Sequence, residues 1–146
     1  MPLHIDLKGH PATLSLSEIT LRRKTEVHPT LLSTREAELL ASRVSEAEWQ
    51  NAFDGEQWEI RLLDEFELLR EERASEAARF SVIRHVDCPS LNAFRKRLAQ
   101  ASGLALAATL PHVTLYTAGH ERGIGLSSQA DYERFRVRTL TPTEGP

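Results

Sequence analysis

A chain of 146 residues with 40% apolar side chains and a net charge of −3 has material for one domain with a real core. That length leaves little room for a second domain, and the charge argues against coating long nucleic acid through many phosphate contacts. The sole cysteine, Cys88, excludes an intramolecular disulfide and a cysteine-built zinc site, and fits a reducing cytoplasm. No apolar run approaches the ~20 residues that span a bilayer, and the first six residues carry neither a basic leader nor a signal core, so the expectation is a cytoplasmic protein without membrane contact.

The first thirty residues read as extended chain. Leu14 and Leu16 alternate with Ser, Ile19 and Leu21 alternate with Thr20, and the phase breaks at Ser17-Glu18, where a hairpin or bulge belongs. Ser33 and Glu36 have capping-box spacing, and Leu40, Val44 and Ala47 continue a stripe that predicts one helix from about 34 to 49, before the turn signal Asp54-Gly55. Alternation from Trp58 to Arg70 predicts two strands meeting near Asp64-Glu65, with a helix the alternative for so apolar a run. The acidic run from Asp64 to Glu72 reads as a solvated edge. After a charged stretch over 71–78, predicted as loop or short helix, Phe80, Val82, Arg84 and Val86 alternate as a strand.

Pro89 then opens a helix whose face is Leu91, Phe94, Leu98 and Ala101 and whose stop is Gly103. Arg95, Lys96 and Arg97 are assigned to its solvated outer side. A strand around His112, a loop from Gly119 to Gly125, a short helix capped by Ser128 with Asp131, and a strand around 135–140 complete the folded part. Residues 141–146 read as a flexible tail. Strands mixed with well-spaced helices make an α+β domain over 1–146, with antiparallel pairing favoured over a wound parallel sheet.

Two strings stand out, His28-Pro29-Thr30-Leu31 and His112-Val113-Thr114-Leu115. The chance of both arising in so short a chain is on the order of one in a thousand or below. In extended chain, residues two apart emerge side by side. His28 and Thr30 therefore share a face opposite Val27, Pro29 and Leu31, and His112, Thr114 and Tyr116 share a face opposite Val113, Leu115 and Thr117. Two imidazoles and two hydroxyls supply a base, an acid and donors for phosphoryl oxygens, the set that phosphodiester chemistry needs.

The paired strings resemble the motifs of the 2H phosphoesterase superfamily, the bacterial RNA ligase-like and cyclic phosphodiesterase group. The stretch from Phe80 to Leu126, with Val86-Asp87-Cys88-Pro89-Ser90-Leu91, Pro111-His112-Val113-Thr114-Leu115-Tyr116-Thr117 and Gly123-Ile124-Gly125-Leu126, is similar to its Swiss Army Knife members, which are associated with RNA repair. The resemblance implies a bilobal, pseudo-symmetric α+β fold, with antiparallel sheets lining a central cleft and helices outside. It also implies metal-independent hydrolysis of a cyclic phosphate or related phosphodiester on an RNA end or small nucleotide, without a cofactor, and association with other RNA-repair proteins. His28, Thr30, His112 and Thr114 would be catalytic. Pro29 departs from the aliphatic residue usual at its position; proline is confined to sheet edges and bulges, so the first motif is expected at an edge or just outside regular pairing.

Lys24 and Arg122, flanking the two motifs, complement an anionic substrate, and Tyr116 could stack on a base. As a ligand each competes with a plainer role, solvation for the charges and core packing for Tyr116. His4, His10, His85 and His120 lack the motif context and read as structural or solvated, with His120 the leading exception. A metal site is not expected, since no His-x-x-x-His helix occurs. The alternative from another class is a binding module that holds a nucleotide or RNA end in the same cleft without turning it over.

Overall fold

Ser17 takes a left-handed φ of 54°, which turns β1 (Thr13–Leu16) back on β2 (Ile19–Arg23) where the phase break predicted a reversal. The computed structural model describes residues 5, 7, 9–126 and 128–146, so His4 lies outside it. Among the described residues the remaining elements, in chain order, are α1 (Thr34–Ala41), α2 (Glu46–Asp54), β3 (Arg61–Glu71), β4 (Arg79–Asp87), α3 (Pro89–Ser102), β5 (His112–Ala118), α4 (Gln129–Phe135) and β6 (Arg136–Thr139).

The single helix expected from 34 to 49 is two. Ser33 and Glu36 form the full capping box of α1. The chain then leaves the helix at Ser42, and Ser45 caps α2 by accepting from the Glu48 N–H. Ser45 with Glu48 repeats the spacing of Ser33 with Glu36, so a second start signal lay inside the predicted stripe. The break lets Leu40, Val44 and Ala52 all turn inward onto Phe94 and Leu98 of α3.

All six strands join one curled antiparallel sheet in the order β1-β2-β5-β4-β3-β6. The α+β class with antiparallel pairing is as expected, whereas the strands do not divide into two sheets. The predicted pair of strands over 58–70 is one long strand. Leu62 pairs with Val86 and Phe66 with Arg84, so residues 63–65 bulge opposite His85. Arg84 holds the bulge, its Nε donating to the Leu63 carbonyl at 2.7 Å and its guanidinium pairing with Asp64 at 2.9 Å. Because β6 pairs along the outer side of β3, the acidic run is not a solvated edge, and Glu67 is 6% exposed.

The sheet has two differently covered faces. On one, Leu21, Leu68, Val82, Val113, Leu115 and Tyr116 pack with Leu91 of α3, over which α1 and α2 build the second cluster. On the other, Leu69 and Ile83 meet Ile124 of the loop after β5, with Tyr132 and Phe135 of α4.

Arg95 is not on the solvated side of α3. It is 3% exposed, and its guanidinium grips both Glu36 oxygens at 3.0 and 2.6 Å, the Leu31 carbonyl at 3.1 Å and the Ala107 carbonyl at 2.8 Å. Lys96 and Arg97 are exposed as expected, Arg97 paired with Glu56. The tail is likewise tied down: both nitrogens of the Arg138 guanidinium donate to Glu144, which also accepts from Thr141.

Candidate active site

The two motifs lie against each other. From β2 onward the chain follows β5: Arg22 is level with Thr117 and Arg23 with Tyr116, and the Lys24 N–H donates to the Leu115 carbonyl at 2.8 Å. It then loops away over 25–28 and returns as an isolated antiparallel bridge between Pro29 and Val113. Those are the middle residues of the two His-x-Thr strings. Pro29, having no N–H, suits a lone bridge outside a ladder, as its sequence position implied.

The bridge sets the aim of the side chains. Val27, Pro29 and Val113 are buried, Val27 and Val113 in the main core. Their neighbours His28 and Thr30, which are exposed, and His112 and Thr114, which are half-buried, project from the opposite face. The pairing is confined to that one residue pair, with His28 at the end of the loop before it and Thr30 directly after it.

His112 is held in one tautomer. Its Nδ1–H donates to the Leu110 carbonyl at 2.8 Å, leaving Nε2 as the free lone pair. Burial pushes its pKa below the ordinary imidazole value; the Leu110 bond opposes this and the neighbouring His85 adds to it. His112 is therefore neutral at neutral pH, with a basic Nε2. Asn92 of α3 steadies the approach to it through reciprocal bonds with the Thr109 backbone at 3.1 and 3.2 Å.

Behind His112 stands a buried polar group. His85 is its cross-strand partner on β4 and lies 3.6 Å from the Glu67 carboxylate and edge-on to Tyr132. Burial alone would raise the Glu67 carboxyl, but hydrogen bonds from Tyr132 and Arg136 with the charges of His85 and Arg136 hold it below the usual range. The same contact, with burial the larger cause, pushes the Tyr132 phenol up to about 12. Gly123, at a φ of +86°, brings the loop onto Thr114: a Cβ there would sit 3.2 Å from both Oγ1 and Cγ2.

An open cleft of about 960 Å³ borders the first motif on this side, lined by His28, Lys24, Arg22, Thr117, His120 and Arg122 among others. Lys24 and Arg122 thus lie together with His28, while His112 and Thr114 do not line the cleft. His120 is half-buried; burial lowers its pKa, and its Nε2–H donates to the Phe80 carbonyl at 3.2 Å.

Tyr116 does not join the site. The ladder to β4 passes from Ile83 with Thr114 to Val82 with Tyr116, so Leu115 is an extra residue on β5. That bulge turns Tyr116 to the core face, where it is 0% exposed and its hydroxyl donates to the Pro11 carbonyl at 2.8 Å. Thr117 consequently takes the cleft face that strict alternation assigned to Tyr116. Sequence reading also missed His85 and Glu67 as neighbours of the site. His85 keeps the alternation of its strand opposite Val82 and Val86, a usable signal, but its pairing with His112 is long-range.

Among the described residues no helix is long and apolar enough to cross a membrane, and no group of three or more His, Cys, Asp or Glu is placed to hold a metal ion. No protein-family model, curated protein or solved structure matches the chain.

Proposed function

We propose that the protein is a metal-independent phosphoesterase of the 2H type, hydrolysing a cyclic phosphate or related phosphodiester on an RNA end or small nucleotide. The observation that carries this reading is the Pro29–Val113 bridge. It joins the middle residues of two distant His-x-Thr strings, and alternation about that pair would turn their imidazoles and hydroxyls toward one face. A shared hydrophobic context alone would not require that arrangement.

The tautomer of His112 supports its role as the base. Its Nε2 takes a proton from water as the water oxygen bonds to phosphorus. The P–O bond to the ribose oxygen breaks, and His28 delivers a proton to that oxygen. Thr30 and Thr114 donate to the non-bridging oxygens, and Lys24 and Arg122 draw the anion into the adjoining cleft. Protons exchange with solvent to reset both imidazoles.

The test is turnover of a nucleoside 2′,3′-cyclic phosphate followed by chromatography. Each of His28→Ala and His112→Ala should lower kcat by on the order of 10² to 10⁴, and EDTA should leave the wild-type rate unchanged. Undiminished hydrolysis by the double variant overturns the proposal. Ligand-induced thermal stabilisation without product would instead identify a nucleotide or RNA-end binding module.

A further inference from the structure

The cleft continues past the point where the hydrolytic step has use for it. Beyond the bulge at Leu115, Arg22 stands opposite Thr117 on the open face, and the following loop brings Arg122 to the same wall. Many arginines elsewhere are engaged, as Arg61, Arg84, Arg97, Arg136 and Arg138 are with carboxylates. Among the described residues no ion pair involves Arg22, Lys24 or Arg122, and the carboxylates in the same wall, Glu26 and Glu121, make none with them. In a protein of net charge −3, cations left without partners in one concavity form a local site for anions.

Its distance from the motifs limits what that anion can be. Thr114 and Thr117 lie on the same face of β5, three residues apart across a bulge, which is roughly 7–10 Å along a strand. That is about the reach of one ribose-phosphate unit. A nucleic acid strand carries one charge per nucleotide, so an anion at the motifs and a second at Arg22 and Arg122 fit consecutive phosphates of one chain.

We infer that the cleft end formed by Arg22, Thr117 and Arg122, with Lys24 between it and His28, is a subsite for the phosphate next to the reacting one. The substrate is then a nucleotide chain of at least two units ending in the cyclic phosphate, in preference to a mononucleotide. This rests on the reading of the paired motifs as the reacting centre. Guanidinium groups suit the role because their fork of donors matches phosphate oxygens.

The experiment compares kcat/KM for a cyclic mononucleotide and for a dinucleotide with the same cyclic end, in wild type and in the double variant Arg22→Gln, Arg122→Gln. Both side chains belong to exposed residues, so the variant should fold, which circular dichroism checks. The wild type should prefer the dinucleotide, and the preference should fall about tenfold or more in the variant. Arg22→Lys with Arg122→Lys should restore part of it. An unchanged preference, or none in wild type, overturns the subsite. Should the wild type turn over neither compound, calorimetric binding of a dinucleotide 3′-phosphate against a mononucleotide 3′-phosphate gives the same comparison without catalysis. A selectivity lost in the variant upholds the subsite while the hydrolytic reading fails; no selectivity overturns the subsite.

Discussion

The imidazole of His112 is prepared by three separate causes: burial, the Leu110 carbonyl on Nδ1, and His85 across the strand pair. Burial and the like charge both favour the neutral ring, so it persists to lower pH than in a free histidine, and on the proposed reading this ring is the base. The acidic limb of kcat/KM should therefore lie below ~6.5, with activity lost as pH falls through the folded-state pKa. Removing the like charge by His85→Gln should move that limb upward, and the His112 Cε1–H resonance should titrate higher by the same amount. A limb and a resonance that both stay in place would show that His85 has no electrostatic hold on the base.

Among elements, α3 decides where both motifs sit. Its Arg95 binds the carbonyl of Leu31, the last residue of the first motif, and that of Ala107, just ahead of the second, while Asn92 pins Thr109. Arg95→Met would leave Glu36 half-buried without its cation and two carbonyls without donors. The expected loss is about 3–5 kcal/mol in urea unfolding, and a change under 1 kcal/mol would refute the role. The limits of α3 were legible because Pro89 and Gly103 are local signals. The inward turn of Arg95 was not, since its partners lie far away in the chain and charge alone argues for solvent. The same reasoning covers β5: alternation aimed His112 and Thr114 correctly, but the extra residue at Leu115 is visible only against β4.

At the scale of the molecule, the unity of the sheet is the main departure from expectation. The family resemblance implied two lobes, yet β2 and β5, from opposite halves of the chain, are neighbours within one sheet. The pairings of β2 with β5 and of β3 with β4 both need the two halves together. Unfolding should thus be a single cooperative transition whose calorimetric and van't Hoff enthalpies agree; two resolved transitions would mean that the halves fold separately. Element types read well from local periodicity. Strand partnership and face coverage depend on contacts between segments remote in sequence, as with Glu67 under β6.

Two antiparallel segments that meet at their middle residues possess a local dyad, here running between Pro29 and Val113. Were the pairing continued from that one contact, an anion on the axis would meet an imidazole and a hydroxyl from either hand, so the strings by themselves impart no direction. Direction comes from what lies off the axis. On one side the ring is sheltered and tethered through Nδ1; on the other it borders open water and a row of cations. The chain has broken its own symmetry by its surroundings while keeping it in its strings.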